Sequence, residues 1–270
     1  MPSFLEITPD KLARMIGTPN PPTVIDVRID DDFGIDPRRI PGSIRRDFRK
    51  VMEWGPQING PAIVLCQKGQ KLGHGVAAHL RAMGIEAEVL EGGFEAWRDA
   101  EGILVPEDKL PPRDAKGRTV WVTRSRPKID RIACPWLIRR FIDPTAIFLF
   151  VPASEVELVA DRFNATPFDI EGVFWSHRGE LCTFDVMIEE FGLGSDALLR
   201  LATVVRGADT ARTDLAPEVA GLLAVSLGLS RMFNDDLEQL QAGLTVYDAF
   251  YRWCRDATDE THNWPNPRKG

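Results

Sequence analysis

The sequence predicts two domains of different class. The first is an α/β domain with a parallel sheet flanked by helices, and the second is an α+β domain that is mostly helical. Three observations predict this. The 270 residues exceed the ~150 typical of one domain. Short β-rich runs alternate with helical patterns in the first hundred residues, whereas helical periodicity takes over after about residue 183. Between the halves, Val105 to Arg118 holds three prolines and few apolar residues. Proline fixes φ and disfavours helix in the residue before it, so 105–118 reads as an extended linker. The domains then span 1–104 and 119–262, with a flexible tail at 263–270.

In the first domain Thr23–Val27, Ala62–Leu65 and Ala87–Leu90 read as buried strands. Leu72, Val76, Leu80 and Met83 mark one face of a helix between the last two. Strand, helix, strand at this spacing is a βαβ unit, which implies a parallel sheet. The second domain opens with β-like segments at Thr119–Thr123, Ala146–Val151 and Phe168–Trp175, with a helix over Ile132–Phe141. Ser154-Glu-Val-Glu157 reads as a capping box for a short helix. Phe184, Met187, Ile188 and Phe191 form a helical face that ends at Gly192. Ser195 caps the next helix, marked by Leu198, Leu201, Ala202 and Val205. The last helix carries Leu237, Leu240, Leu244, Tyr247, Tyr251 and Cys254 on one stripe.

Composition narrows the function. The net charge of −7 argues against a general binder of nucleic acid or anionic membranes. No apolar run approaches the ~18 residues of a membrane span. The N-terminus lacks a basic region followed by an apolar stretch, and four cysteines are too few for a disulfide scaffold. A cytoplasmic protein with free thiols is expected.

Cys66 ends the strand Ala62–Leu65 and opens Cys66-Gln-Lys-Gly-Gln-Lys71, directly before a helix. A helix N-terminus offers unpaired N–H groups and a positive dipole end, which favour a thiolate and hold an anion. Gly69 permits a tight loop, and Lys68 and Lys71 add positive charge. This arrangement suits attack on the sulfane sulfur of a donor such as thiosulfate, leaving a persulfide on Cys66. Gln67, Lys68, Gly69, Gln70 and Lys71 would bind the donor. A structural cysteine at a strand end is the alternative. His74 and His79, on the following helix, read as exposed or packing residues, because sulfur transfer needs no acid–base partner.

Two features stand out in the second domain. Thr123 to Arg131 with Arg139-Arg140 carries six positive residues and one negative, inside a half whose net charge is −6. Clustered guanidinium groups suit a tetrahedral oxyanion, so Arg124, Arg126, Lys128 and Arg131 are candidates for binding one; salt bridges to nearby acids are the alternative. In Ser176 to Asp185, the residues His177, Glu180, Cys182 and Asp185 lie within nine positions. His177, Cys182 and Asp185 could ligate a transition metal or serve as hydrogen-bonding residues; their spacing matches no standard metal motif. Cys134 and Cys254 read as core residues.

Residues 4 to about 104 resemble the rhodanese homology domain. The resemblance rests on Val24-Ile-Asp-Val-Arg28, Ile40-Pro-Gly-Ser43, the six-residue cysteine loop, and Val89-Leu-Glu-Gly-Gly-Phe-Glu-Ala-Trp97. It implies that Cys66 is the persulfide-bearing nucleophile, that Asp26 and Arg28 form a structural ion pair, and that Gly92, Gly93 and Trp97 close the domain. Lys71 stands where many members have arginine, and Arg39 where histidine is common. Residues 119 to about 258 resemble the C-terminal domain of the chromate-resistance protein family. The carrying segments are Trp121–Arg124, Lys128–Asp143, Pro167–Ile170, Ser176-His177, Cys182–Asp185 and Val205–Asp209.

Together these resemblances imply a rhodanese-type sulfurtransferase linked to chromate resistance. Sulfur would pass from thiosulfate or a persulfide donor, through Cys66, to a thiol acceptor. Sulfur transfer requires no cofactor, and a transition metal in the second domain is a separate expectation. Chromate or sulfate is a further expected ligand, whereas no membrane partner is expected and nucleic acid is disfavoured. Two alternatives stay open: an oxyanion-sensing regulator with a non-catalytic rhodanese module, and a metal-dependent redox protein.

Overall fold

The computed structural model describes residues 5–260; the tail expected at 263–270 lies outside them. The N-terminal part runs β1 (Glu6–Ile7), α1 (Pro9–Met15), β2 (Thr23–Asp26), α2 (Asp30–Ile35), β3 (Arg38–Arg39), β4 (Ile44–Arg45), α3 (Val51–Trp54), β5 (Ala62–Leu65), α4 (Lys71–Ala82), β6 (Ala87–Leu90), α5 (Gly93–Asp99) and β7 (Val105–Pro106). Strands β1-β6-β5-β2-β4 form one sheet in that order, every pairing parallel. This is the parallel sheet with flanking helices that the sequence predicts.

Side-chain alternation divides the sheet into two faces. Ala62, Val64 and Cys66 pack with Val76, Ala77 and Leu80 of α4 and with Trp54 of α3. Ile63 and Leu65 face the other way, toward Leu12 of α1 and Phe94 and Trp97 of α5. Cys66 thus continues the buried α4 face one residue beyond its strand.

Residues 105–118, expected as an extended linker, are instead folded and tied down, with a 3₁₀ turn at Glu107–Lys109. Strand β7 pairs antiparallel with β3, and Arg39 is salt-bridged to Glu107. Asp114 accepts hydrogen bonds from the Lys116 and Arg118 amides and from the Arg118 guanidinium in a tight turn.

The second part runs β8 (Val120–Arg124), α6 (Asp130–Leu137), β9 (Ile147–Val151), α7 (Val156–Phe163), β10 (Thr166–Pro167), α8 (Thr183–Glu190), α9 (Asp196–Asp209), α10 (Val219–Met232) and α11 (Asp236–Asp256). Strands β10-β8-β9 form a small parallel sheet, and the remainder is helical. Helix α6 continues into a π-helical turn at Ile138–Ile142. Three local expectations are corrected. Phe168–Trp175 is a loop closed by one bridge, because Asp169 turns the chain at φ +52° and its amide donates to the Trp175 carbonyl. Ser154 lies in a 3₁₀ turn rather than capping α7, whose N-cap Glu155 makes no side-chain cap bond. Leu237, placed on the buried stripe of α11, is 54% exposed at the helix's first turn.

The larger hydrophobic cluster runs through both parts, joining Leu12, Phe94 and Trp97 to Trp121, Trp136 and Phe141. Gly17 marks the seam: a Cβ there would lie 2.5 Å from Phe141 Cζ and 2.9 Å from Tyr251 Cε1. The Gly42 amide donates to the Phe141 carbonyl at 2.6 Å. Among the described residues, no helix is long and apolar enough to cross a membrane.

Candidate functional site

The first site lies where the parallel strands end. Cys66 follows β5, while the Val27 amide donates to the Leu65 carbonyl and the Arg46 amide to the Asp26 carbonyl. The ends of β5, β2 and β4 therefore lie side by side. Cys66 is 5% exposed, and the Gln70 amide points at its Sγ from 3.3 Å. Lys68, Gln70 and Lys71 are exposed, so the charged part of the loop faces solvent.

The loop is held by the start of α5. The Phe94 and Glu95 amides donate to the carbonyls of Cys66 and Gln67 at 2.9 and 3.0 Å, and Gln67 Nε2 donates to Glu95 Oε1 at 3.1 Å. These bonds supply partners to the first N–H groups of α5, which has no side-chain cap. Such close backbone approach excludes a side chain at Gly93, whose Cβ would collide with the Cys66 carbonyl and the Gly69 amide.

The expected Asp26–Arg28 pair is present and buried, at 2.7 Å. The Arg28 guanidinium also donates to the Asp36 and Arg38 carbonyls and stacks 3.7 Å from the Phe94 ring centroid. Nearby at the strand ends is a cavity of about 440 Å³ lined by Arg28, Arg45, Arg46 and Arg49 and by Asp30, Asp31 and Asp47. Cys66 does not line it. Sequence reasoning missed this cluster, because Arg28 follows β2 whereas Arg45, Arg46 and Arg49 lie at and after β4, and only the pairing of the two strands brings them together. Of the two histidines on α4, His74 lies 3.2 Å from Glu6 and His79 is exposed.

The second site forms around His177. Its Nε2 lies 3.2 Å from Asp209 Oδ2 and 3.5 Å from both Asp130 Oδ2 and Asp169 Oδ1. Four elements supply these groups: the α8 approach loop, the end of α9, the start of α6 and the loop after β10. The carboxylates raise the His177 pKa to about 9, with the Asp169 hydrogen bond the largest cause. Burial, then repulsion between the carboxylates, pushes Asp130 well above the usual carboxylate range and raises Asp209. Asp169 is better served: it accepts from Thr183 Oγ1 at 2.9 Å and pairs with Arg131 Nε at 3.2 Å.

Cys182 and Asp185 do not join His177 in this cluster. Both serve the N-terminus of α8, where the Cys182 amide donates to Asp185 Oδ2 at 3.0 Å and Arg206 pairs with Asp185 Oδ1 at 2.6 Å. Cys182 is fully buried, and burial raises its thiol pKa strongly. Cys134 and Cys254 are buried as expected, and their thiol pKa values are likewise raised. Sequence reasoning missed Asp130, Asp169 and Asp209. Each lies in a segment that carries the second domain's resemblance, which was the available signal.

The basic island does not form one pocket. Arg124 and Arg131 face Asp169, and Arg124 lines a cavity of about 540 Å³ with Gly172, Ser176 and His177. Arg126 and Lys128 line a separate cleft against α10, where Arg126 donates to the Phe233 carbonyl at 3.0 Å. Arg140 is committed to Asp248 at 2.8 Å, and Arg139 lies 5.1 Å from the Phe148 ring centroid.

Comparison with known proteins covers both parts. Protein ChrB of Cupriavidus metallidurans is 39% identical over 170 residues, which is 57% of this chain and 50% of that protein. The chain thus spans about half the length of this relative. A rhodanese-like domain protein from Staphylococcus aureus is similar over 34% of this chain and 89% of its own, at 26% identity and TM-score 0.31. A rhodanese-related protein from Thermoplasma volcanium is similar over 38% of this chain and 100% of its own, at 22% identity and TM-score 0.34. At the level of families, residues 8–100 match the rhodanese-like domain and residues 121–254 match the ChrB C-terminal domain, so the chain joins one of each.

Proposed function

We propose that the N-terminal domain is a sulfurtransferase that carries sulfane sulfur on Cys66, within a protein that serves chromate resistance in the cytoplasm. The observation that carries this reading is the position of Sγ, under the Gln70 amide at 3.3 Å and at the head of the twelve-residue helix α4. The chromate link rests on the second domain's resemblance alone.

In the proposed reaction the Cys66 thiolate attacks the outer sulfur of thiosulfate. A new S–S bond forms at Cys66 as the bond to the sulfite group breaks with its electron pair, and sulfite leaves. An acceptor thiolate then attacks the terminal sulfur of the Cys66 persulfide and regenerates the Cys66 thiolate. The loop N–H groups and the exposed Lys68 and Lys71 would offset the donor's negative charge. Cys134 and Cys182 cannot relay the sulfur without local opening, since both are fully buried.

Incubation with thiosulfate, followed by intact-mass analysis, is expected to add one sulfur atom to the wild-type chain and none to Cys66→Ser. Cyanide should then remove that sulfur as thiocyanate. Unmodified wild-type protein after exposure to both thiosulfate and a persulfide donor would overturn the proposal.

A further inference from the structure

We infer that Asp130, His177 and Asp209 form a binding site for one divalent cation of the first transition row, with open coordination positions toward the cavity beside Arg124. This site is independent of the chemistry assigned to Cys66. One donor atom from each of the three residues lies within 4.8 Å of the others, and the two distances at His177 Nε2 are 3.2 and 3.5 Å. Ligand atoms about 2.1 Å from one cation and separated by roughly 90–109° lie about 3.0–3.4 Å apart. The two distances at His177 therefore already stand near the spacing that a shared cation requires, and the two carboxylates lie within 4.8 Å of each other.

Asp130 distinguishes this cluster from an ordinary group of acids. It is 0% exposed, its Oδ2 accepts the Thr183 amide at 2.6 Å, and its Oδ1 has no hydrogen-bond partner among the described residues. The Cys182 thiol is close enough to favour the charged form. A fully buried carboxylate that is incompletely hydrogen-bonded is costly, and a cation bound by that carboxylate would lower the cost. The carboxylate is aimed into the cluster, since its Oδ2 is the atom 3.5 Å from His177 Nε2.

Three carboxylates, those of Asp130, Asp169 and Asp209, converge on His177. Arg131 is paired with Asp169 and lends Asp209 only its longer-range field. Asp209 is also the last residue of α9, where the helix carbonyls oppose a negative charge. The ligand set of one imidazole and two carboxylates suits manganese(II), iron(II) or zinc(II). His177 is 41% exposed on the cavity of about 540 Å³, which gives the ion a route in.

The outer contacts have the form expected around a metal site. The Thr183 amide orients Asp130, and the Thr183 hydroxyl and Arg131 orient Asp169 behind His177.

The test uses the full chain, purified without an affinity tag and stripped with a chelator. Equilibrium dialysis against manganese(II), and separately zinc(II), is expected to load one equivalent per chain by elemental analysis. Asp209→Asn and His177→Gln should each weaken binding by at least ~10-fold, while Glu180→Gln, an exposed acid on the same loop, should leave it unchanged. Manganese EPR should show nitrogen coupling in the wild type. Failure of both ions to bind, or equal binding in the Asp209 and His177 variants, overturns the site. Should those variants not fold, the wild-type nitrogen coupling decides: its presence supports the site, and its absence overturns it.

Discussion

At Gly69 the backbone φ is +61°, and a Cβ would lie 2.6 Å from the Leu90 carbonyl oxygen and 2.7 Å from the Gly93 amide. Both neighbours are backbone, so neither can swing away as a side chain could. Gly69→Ala is therefore expected to cost about 1–3 kcal/mol in a urea titration and to abolish persulfide formation on Cys66. Gly75, six residues on and inside α4, provides the contrast because nothing lies within 4 Å of its added Cβ. Gly75→Ala should stabilise the protein by about 0.5–1 kcal/mol and leave the persulfide unaffected. The two glycines look alike in the sequence. What separates them is the backbone of residues 90–93, which lies more than twenty positions away.

At the scale of elements, the turn Asp114–Arg118 has a defined acid response. Hydrogen bonds from the Arg118 amide and guanidinium, with the Lys116 amide, hold the Asp114 pKa at about 2, below its ordinary 3.8. A carboxyl group whose folded pKa is lowered adds stability above its unfolded pKa and loses that contribution as pH falls through the folded value. The turn's contribution should thus be complete above about pH 4 and gone below about pH 2. NMR titration of the Asp114 carboxyl should give a midpoint near 2 in the wild type, moving toward 3.8 in Arg118→Gln. The basic island also resolves at this scale. Arg124 of β8 and Arg131 of α6 face Asp169, the loop between them turns Arg126 and Lys128 toward α10, and Arg139 and Arg140 lie beyond α6, so a run that looks like one patch becomes two clefts and two structural ion-pair or ring contacts.

At the scale of the molecule, the two parts share buried surface. Phe141 is 1% exposed, stacks edge-on to Tyr251 at 5.6 Å between centroids, and fills the space above Gly17. Lys109 adds an ion pair to Glu190 at 2.7 Å across the same junction. Phe141→Ala is expected to destabilise the whole chain by about 3–5 kcal/mol. Calorimetry of the wild type should show one cooperative transition rather than two. Two well-separated wild-type transitions would mean that the shared core does not couple the halves.

The sequence by itself determined the elements whose cause is local. Short β-rich apolar runs placed β5 and β6 to the residue, four-residue recurrence found α4, and a serine before an apolar face found the start of α9. The cysteine loop was legible for the same reason, since strand end, glycine and helix start are contiguous. Only the tertiary structure decided the His177 site. Its partners Asp130, Asp169 and Asp209 lie 47, 8 and 32 positions from His177 and come from separate elements. Spacing along the chain favoured Cys182 and Asp185 instead, which the fold uses to cap a helix. Periodicity reports which face of an element is buried, but it carries no information about which buried faces meet. Helix packing sets that, and it brings a histidine and three aspartates within reach of one another.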